Sequence, residues 1–149
     1  MASVRRILFA SDFSKASGKA FAAALTMAKS NRATLTVLHV LAPMTPISPD
    51  QYIGPETWQQ IQADARRWTA RKLGELTLKA RKAGVRLAVR MADGSPAKQI
   101  VRAAKAGRYD LVIIGTHGRT GLARFFLGSV AAQVVATAPC AVMTVRGRD

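Results

Sequence analysis

Between residues 6 and 145 the chain repeatedly exchanges short apolar runs for longer stretches of helical period. Residues 6–10, 33–40, 85–91, 111–114 and 141–145 are rich in Val, Ile, Leu and Thr and read as strands. Helical spacing recurs between them. Ala20, Ala24, Leu25 and Ala28 share one face, residues 56–83 form a long second helix, residues 96–106 a third and residues 129–138 a fourth. A strand–helix–strand connection returns the chain to the same end of the sheet, so the strands are expected to run parallel with helices on both faces. The expectation is an α/β fold, a single doubly wound, Rossmann-like domain over residues 1–149. No internal repeat or low-complexity segment interrupts it.

Local signals mark the joints. Residues 11–14 read as the turn after the first strand, with Ser14 or Ser17 as helix cap. Gly84 and Gly107 stand where helices stop, Pro96 sits at a first helical position, and Pro139 ends the last helix. Residues 41–55 carry Pro43, Pro46, Pro49 and Pro55 and form no regular element; a loop this long in a compact domain is often a functional flap. On the long helix Trp58, Ile61, Ala65, Trp68, Leu76 and Ala83 gather on one side, with the stems of Lys72 and Lys79 along its edge. Both tryptophans read as core contacts rather than base-stacking platforms. Residues 111–114 have the unbroken apolarity of a strand buried on both faces.

Composition narrows the function classes. Hydrophobic residues make up 49% of the chain, which excludes disorder of the whole. Cys140 is the only cysteine, so there is no internal disulfide, and one thiol with two histidines makes no zinc-finger type site. Residues 7–10 are too short for a signal core, and no apolar run approaches the ~20 residues of a membrane helix, so a cytoplasmic protein without a membrane span is expected. The net charge of +15 invites polyanions; its bland counterpart is a solvated basic surface. Arg66, Arg67, Arg71 and Lys72, with Lys79, Arg81 and Lys82 beyond, are the place for nucleic acid if any binds, though that reading is not the favoured one.

Ligands of open α/β sheets sit beyond the carboxyl ends of the strands, where the strand order reverses. Asp12 follows the first strand, and Gly115-Thr116-His117-Gly118 follows the fourth, with Gly128-Ser129 opening the next helix. Glycines let backbone approach an anion and adopt positive φ, successive N–H groups make an anion-binding concavity, and a helix start adds unpaired N–H groups. Arg119 and Arg124 lie in the same loop as mobile charge. By spacing alone, turn-making glycines and a capping Ser129 explain the pattern as well as a phosphate cradle does. Neither the P-loop nor the G-x-G-x-x-G fingerprint is present.

Gly115-x2-Gly118-x9-Gly128-Ser129 resembles the nucleotide-binding signature of ATP-binding universal stress proteins. The likeness extends to the first strand with its aspartate turn, residues 7–14. It continues through Leu38-His39-Val40, Gly94-Ser95-Pro96 and residues 110–118 to a closing Pro139-Cys140-Ala141-Val142-Met143-Thr144-Val145, where Ala141 replaces the family's second proline. The resemblance implies a five-stranded parallel sheet of order 3-2-1-4-5, of the adenine nucleotide alpha hydrolase-like type. It implies ATP, with Mg or Mn as companion metal. Asp12 would lie by the ribose or a metal-bridged phosphate, and Val40 would offer backbone to adenine. Gly115, Thr116, His117, Gly118, Arg119, Gly128, Ser129 and the Val130 backbone would surround the phosphates. It also implies a homodimer through the edge strand at 141–145. The charge of +15 is more basic than the family leads one to expect.

Several residues carry a structural alternative. Asp12 could cap the helix after it. His117 has no nameable acid to orient it as a base. His39 reads as a hydrogen-bonded structural histidine, and Cys140 as a small buried hydrophobe. A Ser129/His117/Asp12 triad lacks the G-x-S-x-G elbow. With no general base and no Walker-type lysine, the chain reads as a regulatory ATP-binding protein, at most a weak ATPase. The rival readings are a polyanion-binding module and a dimeric interaction protein without nucleotide.

Overall fold

The computed structural model describes residues 3–44, 50, 52–116 and 127–147. Nine elements follow in the order β1 (Arg6–Ala10), α1 (Lys15–Asn31), β2 (Thr34–Leu41), α2 (Pro55–Lys82), β3 (Leu87–Asp93), α3 (Pro96–Ala106), β4 (Leu111–Gly115), α4 (Ser129–Thr137) and β5 (Ala141–Val145). The strands form one parallel sheet of order β3-β2-β1-β4-β5. β1 lies between β2 and β4, so the chain leaves it in one direction and returns on its other side after α3.

Two apolar layers hold the helices to the sheet. Alternate residues of the central strands point to opposite faces. Ile7, Phe9, Leu35, Val37 and Ile113 pack with Phe21 and Ala24 of α1 and Leu73 and Ala80 of α2. Leu8, Ala10, Leu38, Val112 and Ile114 pack with Ile100 of α3 and Val134 of α4. Ile7, Leu8, Phe9, Val112 and Ile113 are fully buried, as the unbroken apolarity of the central strands requires. Cys140 is half-buried at the edge of the second layer; burial, and then the Asp110 charge, push its thiol pKa up.

One local expectation is decided between its alternatives and two shift. The capping serine of α1 is Ser14, whose hydroxyl accepts from the Ser17 N–H. β3 begins at Leu87 rather than at residue 85, because the Val85 N–H closes the end of α2 on the Ala80 carbonyl at 2.9 Å and Gly84 turns the chain at φ +77°. On α2 the fully buried line is Thr69, Leu73 and Ala80. Trp58, Ile61, Ala65, Trp68 and Leu76 flank it half-exposed, since rings as large as indole rarely disappear wholly from solvent.

Candidate functional site

At the carboxyl ends of β1 and β4 the two chain directions part and leave a cleft of about 420 Å³. The β1–β2 ladder explains one wall. Thr34, Thr36 and Leu38 face β1 with their peptide groups, and the last bond runs from the Ser11 N–H to the Leu38 carbonyl at 3.0 Å. The next would join the Val40 N–H to the Ser11 carbonyl. That carbonyl instead lies 2.7 Å from His39 Nδ1, which must carry the proton. β2 continues along β3 to Leu41, so by alternation the Val40 N–H and C=O face the cleft beyond the last β1 partner. His39 thus has the structural role expected of it. Its ring also lies 4.6 Å from that of Phe13, which meets Trp68 edge-on at 5.4 Å and so anchors Phe13 in its left-handed backbone at φ 62°.

Asp12 borders the cleft where β1 leaves the sheet. Its N–H turns to Ser17 Oγ at 3.0 Å. Its Oδ1 accepts from the Ser14 N–H at 2.9 Å and the Ser17 hydroxyl at 2.8 Å. The carboxylate therefore holds the turn into α1 with one oxygen, while Ser14 caps the helix. Its Oδ2 accepts no hydrogen bond among the described residues.

The opposite wall joins the end of β4 to the start of α4. The Thr116 N–H donates to the Val145 carbonyl, and the Thr116 carbonyl accepts from the Gly128 N–H at 2.6 Å. Ala132 N to Gly128 O is the first intrahelical bond of α4, so the N–H groups of Ser129, Val130 and Ala131 belong to the open first turn. That turn holds no acid and its cap makes no side-chain hydrogen bond, which leaves the positive helix end to an anion. All three residues line the cleft.

Gly115 and Gly128 do other work than positive φ. A Cβ on Gly115 would lie 2.9 Å from both the carbonyl carbon and the Cβ of Ala16, so Gly115 lets α1 approach the sheet. Gly128 has φ −58°, and its N–H already bonds Thr116. The structure thus gathers Asp12, Val40, Gly115, Thr116, Gly128, Ser129 and Val130 around one cleft. His117, Gly118, Arg119 and Arg124 lie outside the described residues. Pro96 and Ile100 complete the cleft without having been singled out as site residues. The Gly94-Ser95-Pro96 turn after β3 signalled them, since it too stands at a strand's carboxyl end.

The walls are apolar along Val40, Ile100, Ile114 and Val130 and polar at Asp12, Ser11, Thr116 and Ser129. This suits a ligand with a flat apolar part and an anionic part. Among the described residues no three His, Cys, Asp or Glu side chains cluster to hold a metal. One carboxylate fits Mg²⁺ that also takes phosphate oxygens and water.

The family model described as "Universal stress protein family" matches residues 3–146. A universal stress protein of Methanocaldococcus jannaschii is 32% identical over 143 residues, 95% of this chain and 82% of that protein. The structure of universal stress protein UspA from Lactobacillus plantarum superposes with TM-score 0.84 at 26% identity, over 98% of this chain and 100% of that one. An Arabidopsis thaliana protein of the same family, solved with AMP bound, superposes with TM-score 0.68 at 22% identity, covering 95% and 91%.

Proposed function

This chain belongs to the universal stress protein family, and from that premise we propose that it is a regulatory adenine-nucleotide-binding protein that takes ATP in the cleft between β1 and β4. The observation that carries the reading is the meeting, around one cleft, of unanswered Val40 peptide groups, the Asp12 carboxylate and the uncapped start of α4. The Val40 N–H and C=O supply the donor and acceptor that an adenine edge needs, and the apolar walls sandwich the ring. Asp12 meets the ribose hydroxyls or a Mg²⁺ on the phosphates. The Ser129 and Val130 N–H groups, with the Ser129 hydroxyl, Thr116 and the segment containing His117, Gly118 and Arg119, surround the phosphates. The AMP held by a structural neighbour supports the same ligand class.

No described side chain stands as a general base beside the phosphate end, so hydrolysis is slow or absent in this reading. The lone cysteine fits a cytoplasmic setting, and among the described residues no helix is long and apolar enough to cross a membrane.

Calorimetry on nucleotide-free protein tests the reading. Mg-ATP should release or absorb heat and raise the melting temperature; no heat and no shift at millimolar ATP would overturn it. Asp12→Asn is the informative variant, because its Oδ1 still accepts from Ser14 and Ser17. It should fold normally and weaken Mg-ATP binding by about 1–3 kcal/mol, the typical cost of removing a charged partner. An equal loss for AMP assigns Asp12 to the ribose, and a loss confined to Mg-ATP assigns it to the metal.

A further inference from the structure

The parallel sheet brings the starts of all strands and the ends of the crossover helices to one end of the molecule, opposite the cleft. Basic residues occupy that end on every element from β3 to β4. Arg5 leads into β1 and Arg6 begins it; their carbonyls bond the Thr34 and Asp110 N–H groups and so tie the strand to the starts of β2 and β4. The last turn of α1 carries Lys29, with Arg32 as its left-handed cap. α2 ends with Arg81 and Lys82, and Arg86 leads into β3. The last turn of α3 carries Lys105, and Arg108 follows its cap. Strand spacing of about 4.8 Å spreads these charges over roughly 14 Å of sheet width.

We propose that this basic end binds the phosphodiester backbone of a nucleic acid, with the groove between α2 and β3 as one phosphate seat. That groove, of about 360 Å³, is lined by Thr77, Arg81, Gly84 and Arg86. Around Gly84 a Cβ would meet no atom within 4 Å, so the groove is open at its turn. Among the described residues Asp110 is the one acid at this end, and its Oδ2 is taken by the Arg5 and Arg6 N–H groups at 2.8 and 2.9 Å. By contrast the middle of α2 is largely neutralised. Arg66 grips Asp93 through both carboxylate oxygens, Arg67 pairs with Asp64, and Lys72 lies 3.6 Å from Glu75. Along the basic run of α2, the cations without an acidic partner among the described residues are therefore Arg71 and, toward this end, Lys79, Arg81 and Lys82.

Favourable placement of one cation at each helix C-terminus accounts for Lys29, Lys82 and Lys105. It gives no reason for Arg5 and Arg86 at strand starts, whereas Arg6 is held within the protein, its Nε–H donating to the Gly107 carbonyl at 2.8 Å and its guanidinium lying over the Tyr109 ring. Arginines outnumber lysines here, and the guanidinium fork suits bidentate phosphate contact. An anionic membrane is the less favoured partner: of the exposed large apolar side chains among the described residues, Leu78 and Val135 lie near the ends of α2 and α4, on separate elements, and do not form one continuous apolar face.

The test is fluorescence anisotropy of the full chain with a short labelled DNA duplex and a single strand of equal length, over a salt series. Binding at low salt should fall linearly on logarithmic axes, with a slope of about −4 for four to five phosphates neutralised. Arg81→Gln/Arg86→Gln should flatten the slope by about 2, at roughly 0.9 per lost contact. Lys19→Gln/Lys98→Gln removes the same charge from the opposite end and should leave the slope unchanged. Saturating ATP should not compete. Equal losses in the two double variants, competition by ATP, or binding to phosphatidylserine vesicles without binding to either DNA would each overturn the proposal.

Discussion

A methyl group at Gly115 would press within 2.9 Å of the Ala16 backbone and side chain, and neither can yield because both belong to the buried start of α1. Gly115→Ala should therefore destabilise the fold by about 1–3 kcal/mol, the usual cost of overpacking. The check is the midpoint of urea unfolding without nucleotide, where an unchanged midpoint would return Gly115 to a purely ligand-facing role. The sequence marked Gly115 as special but not why, since its neighbour Ala16 is distant in the chain. Asp12 shows the same limit. Its place after β1 was legible, but its division between turn and cleft depends on where Ser14 and Ser17 direct their protons. The Val40 peptide groups were reachable only through the resemblance, because their exposure follows from the register and from His39 taking the Ser11 carbonyl.

The strands at the two edges of the sheet differ in how they discourage pairing. β3 carries Arg90 and an Asp93 bound to Arg66, and charges of this kind blunt an edge. β5 has no charge, proline or glycine, and on the side away from β4 no described strand covers it. Pairing with β5 of a second copy would satisfy its outer N–H and C=O groups and close a two-fold interface. The expected state is thus a homodimer, and light scattering should return twice the 16.0 kDa chain mass. Thr144 is exposed whereas Val142 packs against α4, so Thr144→Lys is the cleaner variant and should shift the mass to the monomer without lowering stability. A dimer indifferent to Thr144→Lys and Val142→Lys would place the contact elsewhere. Element identity and order were readable from periodicity alone. Boundaries shifted where backbone capping decided them, as at Val85, and the buried line of α2 shifted where packing on the sheet favoured Thr69, Leu73 and Ala80 over the tryptophans.

Alternation of strands and helices forecast a parallel sheet but not the order of its strands, which came from the family resemblance and is the order observed. The charge asymmetry was still less legible, because Arg5, Arg32, Arg86 and Arg108 are scattered in the chain and meet only through the fold. Its consequence for stability runs through Asp110. The Arg5 and Arg6 backbone N–H groups, and then the arginine charges, hold its carboxyl below the usual carboxylate range. A lowered pKa in the folded chain stabilises the fold at pH above the ordinary value of about 4, and that stabilisation is lost as pH falls through the lowered value. Asp110→Asn removes the counter-charge at the basic end while keeping one acceptor for the backbone. Its melting temperature at neutral pH should fall below that of the native chain, most at low ionic strength, where repulsion among the surrounding arginines is least screened. The gap should narrow with added salt and close at pH well under 4, where both chains lack the charge. A gap unaffected by salt and pH would mean that Asp110 acts through hydrogen-bond geometry alone, and the basic end would then hold no significant self-repulsion for a polyanion to relieve.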